Sequence, residues 1–292
     1  MTYQVLLFYK YVTIEDSEAF ARDFRVAAEK LGLTGRTIIA EEGINSTLEG
    51  TAENTEEFAE WILSDERFAD MIVKRSAGTG HAFPKLSVKV RKEIVGTRFP
   101  QEKADPRVCT APRLTPEELK AMYEQDDDFV VVDMRNDYEY ASGHFKNSIN
   151  PGLENSRDLP EALPELEPLR KKKVVTVCTG GIRCEKMSAF LMNSGFEDVY
   201  QLENGIHGYM EKFPGEDYLG TLYTFDGRVT MDFGGDNREI IGACRLCEGK
   251  TERYVNCANN DCHLHFLCCE NCAASDGSAH CSDLCRAKLV GA

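Results

Sequence analysis

Residues 174–186 read VVTVCTGGIRCEK. The run Val174-Val175-Thr176-Val177 is apolar and β-branched, short, and bounded by glycine, so it reads as a buried strand. Cys178 follows it directly, and Gly180 and Gly181 make a turn into a helical stretch from Cys184 to Met192. A thiolate at such a junction is cradled by backbone N–H groups, and the positive end of the helix dipole lowers its pKa. The alternative, a cysteine filling the core at a strand end, leaves two glycines and an arginine within five residues without a packing purpose. Cys178 is therefore the candidate nucleophile, and Thr179, Gly180, Gly181, Ile182 and Arg183 form its loop. Cys184 either resolves an oxidised Cys178 as a disulfide or packs at the helix start.

Four residues separate Cys178 from Arg183. Cysteine-dependent protein phosphatases carry one more, which widens the loop for a phosphate; the tighter loop resembles that of rhodanese sulfurtransferases, where it fits one sulfane sulfur. Upstream, residues 128–150 read DFVVVDMRNDYEYASGHFKNSIN. This strand, followed by Asp133, Arg135, Glu139 and Gly143-His144, is similar to the segment that precedes the rhodanese loop. Thr115-Pro116-Glu117-Glu118 is a capping box with proline at the first helical position. Asp198 to Asn204 makes another short strand, and Gly205-Ile206 resembles the turn that closes the rhodanese unit. Strands alternating with helices predict an α/β domain over residues 113–214, a parallel sheet with helices on both faces and the loop at a strand's carboxyl end.

The chain of 292 residues has room for two or three domains. It contains no apolar run approaching the roughly 20 residues that cross a bilayer. The opening MTYQVLLFYKYV lacks a basic start and a cleavage site, which predicts a cytoplasmic protein with no membrane partner. The formal charge of −15 argues against general nucleic-acid affinity. Between His81 and Arg113, however, eight basic residues face three acids, a balance of +5, so the remainder carries −20. Such a segment either holds a phosphate backbone or is simply solvated.

Residues 1–96 read as β-α-β-β-α-β, a ferredoxin-like split unit whose last strand is Leu86 to Val95. A hairpin turn at Glu42-Gly43 is expected, with Gly43 supplying a positive φ or letting a ligand approach closely. Residues 97–112 are a basic linker. The remaining stretch, 215–292, opens with a hairpin turning at Asp226-Gly227 and ends in a cysteine-rich region.

Of twelve cysteines, nine lie between residues 244 and 285. They arrive as Cys244/Cys247, Cys257/Cys262, Cys269/Cys272 and Cys281/Cys285, with Cys268 left over. Without an export signal this pattern favours metal over disulfides, and four thiolate pairs supply two tetrahedral zinc sites. The tail has few large apolar residues, so metal must do much of its folding. Spacing leaves the pairing open between a cross-brace and two consecutive sites. His263, His265 and His280 are possible replacement ligands, each more simply read as a surface or packing histidine.

Together AEEGINSTLEG at 40–50, KLSVKVRKEIV at 85–95, CTGGIRCEK at 178–186 and VNCANNDCHLHFLCCENC at 255–272 resemble the bacterial rhodanese-type tRNA uridine 5-hydroxylase family. The resemblance covers nearly the whole chain. It implies oxygen-dependent formation of 5-hydroxyuridine at the wobble position of tRNA, with Cys178 essential, molecular oxygen as co-substrate and tRNA as partner. The acidic balance then places tRNA contact on the basic segment, with Lys85, Lys89, Arg91 and Lys92 as candidates. No GxGxxG fingerprint, flavin site or two-histidine-one-carboxylate set is evident, so the chemistry falls to Cys178, either by addition to C6 of the pyrimidine or as an oxidised or persulfidated sulfur. The loop alone suggests the other activity, sulfurtransfer through a Cys178 persulfide. Cys178 is expected to be alkylated at neutral pH faster than any other cysteine, with Arg183 contributing charge and hydrogen bonds and its loss leaving the domain folded. The sequence leaves the oligomeric state open.

Overall fold

In the computed structural model, which describes residues 2–234 and 239–287, the chain separates into two units. The first is Met1–Thr110 with Phe225–Arg228, and the second is Ala111–Thr224 with Val229–Ala292. Residues 235–238 and 288–292 of the expected tail region lie outside the described residues. Among the described residues no helix is long and apolar enough to cross a membrane.

The first unit begins with β1 (Tyr3–Tyr11), α1 (Ser17–Lys30), β2 (Thr34–Ala40), β3 (Gly43–Thr51), α2 (Ala52–Leu63) and β4 (Val73–Ala77). Alternation along β1 sends Leu6 and Phe8 into a core shared with Phe20 and Phe24 of α1 and Phe58 and Ile62 of α2. The sheet order is β4-β1-β3-β2-β5, where β5 (Leu86–Val90) pairs parallel with β2. The split unit is thus as expected, but its last strand is Val73–Ala77; Leu86–Val90 is a fifth strand on the edge and stops short of Val95. The short, polar Val73–Ala77 strand carries little apolar signal, which is why the stronger alternation of β5 outshone it.

The β2–β3 turn is Glu41-Glu42, and Gly43 starts the next strand. Its φ is +146°, and an added Cβ would lie 2.0 Å from the Lys10 carbonyl oxygen, so close strand approach demands the glycine. Glu42 then accepts from Ile94 N at 2.8 Å while Asn45 Nδ2 donates to Ile94 O at 3.3 Å. The EEGIN stretch thereby anchors its own domain's final segment, which precedes the short helix α3 (Gln101–Ala104).

The second unit holds β6 (Arg113–Leu114), α4 (Pro116–Glu124), β7 (Phe129–Asp133), α5 (Asp137–Tyr140), β8 (Gly143–Phe145), α6 (Leu159–Leu166), β9 (Lys173–Val177), α7 (Ile182–Asn193), β10 (Asp198–Leu202), α8 (Gly205–Lys212) and β11 (Tyr218–Gly220). Four of these strands form a parallel sheet of order β6-β10-β9-β7. Thr115 caps α4 through a reciprocal capping box with Glu118, an arrangement worth about 1 kcal/mol. Val131, Val175, Val177 and Leu202 bury against Leu119 and Met122 of α4 and Ile206, Tyr209 and Met210 of α8. The intervening Val132 and Val174 are also fully buried, as a sheet covered on both faces requires.

The remainder comprises β12 (Leu222–Tyr223), β13 (Thr230–Met231), β14 (Tyr254–Asn256), β15 (His265–Leu267) and α9 (Asp283–Ala287). Thr224 N donates to Val229 O at 2.8 Å, so the β12–β13 hairpin closes around Phe225–Arg228 rather than a two-residue Asp-Gly turn. Asp226 is held by Arg228 at 2.6 Å, and Val229 takes a left-handed φ of +63°.

Candidate functional site

Cys178 stands one residue beyond β9, and Gly181, with φ +100°, turns the chain into α7. A left-handed φ costs glycine nothing. The turn aims the Gly181 N–H at Cys178 Sγ, 3.2 Å away. Gly180 and Gly181 are buried, while Thr179 and Ile182 are half-buried. The back of the loop is tied to α8: Ile206 N donates to Cys178 O at 2.9 Å and His207 N to Thr179 O at 3.0 Å. Gly205 permits that approach, since a Cβ there would stand 2.5 Å from Cys178 O and 2.6 Å from Gly181 N.

Burial opposes ionisation of Cys178, but the Cys184 thiol, the Arg183 charge and the backbone N–H groups of Cys184 and Arg183 outweigh it and bring its pKa down to about 5. Cys184 is held as a thiol, well above the ordinary range, by burial and by its hydrogen bond with Cys178. This field favours an ionised sulfur at Cys178, which is 0% exposed.

Arg183 differs most from its sequence reading. Its guanidinium grips Glu139 at 2.5 and 2.8 Å and donates to Thr179 Oγ1 at 3.1 Å. Glu139 is fully buried, and Thr179 Oγ1 also donates to it at 3.3 Å. Arg183 is thus structural as well as electrostatic: it fastens the loop to α5. Glu139 belongs to the upstream pattern, yet the sequence alone does not single it out as a site residue. Its capping position in Asn-Asp-Tyr-Glu is legible, because its Oε2 also accepts from Asn136 N at 3.1 Å; its partner 44 residues away is not. Below this helix, Arg135 pairs with Asp133, both 0% exposed, and donates to Gly143 O at 2.6 Å.

The cysteine-rich region reaches α5 through rings. Tyr254 and His265 stack at 5.0 Å, Tyr138 of α5 meets the edge of His265 at 5.8 Å, and Tyr223 packs on Tyr138 at 5.2 Å. Tyr254 OH donates to Tyr138 O, and Tyr223 OH meets His265 Nε2 at 3.2 Å. His265 is therefore a packing residue.

No cysteine among the described residues forms a disulfide. Within the same residues Cys244, Cys247, Cys269 and Cys272 form one cluster, and Cys257, Cys262, Cys281 and Cys285 a second, the sulfurs of each within 4.8 Å of one another. The first pair joins the third and the second joins the fourth, a cross-brace, and each cluster can hold a metal ion. His263, His265 and His280 belong to neither cluster. Cys268 belongs to neither cluster; it is fully buried beside Cys244 of the first, its thiol directed at Cys269 O at 3.5 Å.

Lys85, Lys89, Arg91 and Lys92 are all exposed on and beside edge strand β5. Arg107 of the same basic segment is engaged within its own unit, by Asp105 at 2.8 Å and Glu41 at 2.9 Å. Arg113 is likewise paired inside the second unit, with Glu185 at 2.6 Å.

Three family descriptions match in succession: "UPF0176 acylphosphatase like domain" over residues 3–94, "Rhodanese-like domain" over 115–212 and "Rhodanase C-terminal" over 219–286. A tRNA uridine(34) hydroxylase of Cytophaga hutchinsonii is 45% identical over 284 residues, covering 97% of this chain and 90% of that protein. One of Staphylococcus aureus strain Newman is 45% identical over 273 residues, covering 92% and 85%.

Proposed function

Since the chain belongs to the tRNA uridine(34) hydroxylase family, we propose that it hydroxylates C5 of the wobble uridine of tRNA, with Cys178 as nucleophile and molecular oxygen as co-substrate. One observation carries the assignment of roles: a buried cysteine sulfur just beyond the carboxyl end of β9, accepting a hydrogen bond from Gly181 N at 3.2 Å. A sulfur kept ionised this way adds to C6 of the pyrimidine, which makes C5 a nucleophile toward oxygen. The loop amides and Arg183 then offset negative charge as it develops on the base. Arg183 holds its orientation because Glu139 occupies both of its terminal nitrogens. Because Cys178 is covered, the base enters only after local opening, and closure around it excludes water.

Exposed Lys85, Lys89, Arg91 and Lys92 supply a phosphate-binding strip on an otherwise acidic chain. A tRNA substrate assigns the protein to the cytoplasm. The competing reading, sulfurtransfer through a Cys178 persulfide, rests on the loop alone.

The thiolate clusters fit zinc. A tetrahedron with Zn–S bonds of about 2.3 Å has S···S edges of about 3.8 Å. Cys247 to Cys269 spans 3.6 Å, Cys262 to Cys281 3.6 Å and Cys281 to Cys285 3.5 Å. Two zinc ions would be structural, each closed by four thiolates with no open position.

The test is deletion of the gene with mass spectrometry of tRNA nucleosides, then complementation. Loss of 5-hydroxyuridine derivatives, restored by the wild-type chain but not by Cys178→Ala, is expected. Unchanged nucleosides with no redundant pathway, or full rescue by Cys178→Ala, would overturn the reading.

A further inference from the structure

Hydroxylation by oxygen has an electron balance to meet. Reducing one oxygen molecule to a hydroxyl on carbon and a water takes four electrons. Oxidation of the C5–H position provides two, so two more must come from elsewhere. The residues that face Cys178 contain one redox-capable group. Cys184, in the first turn of α7, is 0% exposed, as is Cys178, and its thiol hydrogen-bonds to the Cys178 sulfur. A cysteine merely packing a helix start needs no such bond. Among the described residues the other cysteines of this unit are eight in the metal-type clusters, plus Cys268, whose thiol faces the Cys269 carbonyl.

We propose that Cys184 is a second catalytic residue, which with Cys178 supplies the two remaining electrons as a dithiol; this rests on the hydroxylase reading above. The Cys178 thiolate adds to C6, and oxygen bonds to C5 and takes a proton, leaving a C5 hydroperoxide. The Cys184 sulfur attacks its distal oxygen. The O–O bond breaks, an S–O bond forms, and the thiol proton passes to the oxygen left on C5. Cys184 is then a sulfenic acid and C5 carries a hydroxyl. Loss of the C5 proton expels Cys178 from C6 and restores the pyrimidine double bond. The freed Cys178 thiolate attacks the Cys184 sulfenic sulfur, forming the disulfide and releasing hydroxide, which is protonated to water. In sum, uridine, oxygen, one thiolate, one thiol and one proton give 5-hydroxyuridine, water and one disulfide. An external dithiol reductant must then reopen the disulfide by exchange before the next turnover.

The split protonation of the pair suits this order. Cys178, the lower in pKa, is the sulfur ready to add to carbon, while Cys184 keeps the proton that the cleaved hydroperoxide needs.

The experiment uses the full-length, metal-loaded chain, reduced and then freed of reductant, mixed with unmodified tRNA in air. Expected are equal amounts of 5-hydroxyuridine and of a Cys178–Cys184 disulfide located by peptide mapping, with the reaction halting at one product per chain and resuming when a dithiol is added. Cys184→Ser should lose this single-turnover product while Cys178 keeps its alkylation. Product from the wild type without that disulfide, or a Cys184→Ser variant matching the wild type, would overturn the dithiol step and leave the hydroxylase reading standing. No 5-hydroxyuridine from the wild type even with dithiol present would overturn both. The wild-type disulfide measurement decides the matter even if Cys184→Ser fails to fold.

Discussion

Glu139 and Arg183 form a bidentate ion pair at 2.5 and 2.8 Å, with Glu139 wholly out of solvent. One member lies on the short helix after β7, the other in the first turn after the nucleophile. Removing either leaves the other charge buried and alone, a loss of roughly 3–5 kcal/mol for pairs of this kind. Glu139→Ala and Arg183→Ala should therefore each lower the melting temperature and nearly abolish modification. Their double mutant should lose much less than the sum. Additive losses in that cycle would show that the pair is not coupled.

The pH dependence of Cys178 has a definite sign. Its pKa is lowered from 9.0 to about 5, so its thiolate stabilises the fold fully above about pH 9, progressively less below that, and not at all under about pH 5. Alkylation of Cys178, followed by peptide mapping, should hold its rate from neutral pH down to about 5 and then fall. Because the sulfur is covered, exposed Cys109 is expected to react first in absolute terms at alkaline pH. A Cys178 profile with its midpoint near the ordinary thiol value would contradict the loop electrostatics.

The two clusters predict two zinc ions per chain by elemental analysis. In a cross-brace the two spans overlap, the first cluster closing residues 244–272 and the second 257–285, so Cys257→Ser should loosen the first cluster along with the second. Limited proteolysis would then cut throughout residues 244–285. Cleavage confined to one half would argue for independent sites.

The packed rings make Tyr254 and His265 positioning residues for Glu139, since both bear on Tyr138, its neighbour in α5. Tyr254→Ala should slow modification and shift the Cys178 alkylation midpoint upward while zinc content stays unchanged. An unchanged midpoint would confine the rings to holding the tail.

Replacing Lys89, Arg91 and Lys92 together by Ala should weaken tRNA binding and reduce its salt slope, by about 0.7 to 0.9 for each phosphate that is no longer neutralised. Cys178 alkylation should be unaffected. Binding unaltered in the triple variant would mean that this edge strand is charged only to discourage strand addition.

Much of the site was legible because its signals are local. A β-branched run, two glycines and an arginine within ten residues place a thiolate at a strand's carboxyl end, and the paired spacing of cysteines supplies eight thiolates whatever the pairing. The Thr115 capping box is equally local, each partner being three residues from the other. What the tertiary structure alone decided are relations between distant positions. The Glu139–Arg183 pair, the cross-braced clusters, the stack of Tyr254 and His265 over α5, the burial of Cys178 and the edge placement of β5 all depend on which segments meet. Periodicity and turn chemistry specify what each segment becomes, whereas long-range pairings are chosen by shape and charge matching after the segments form.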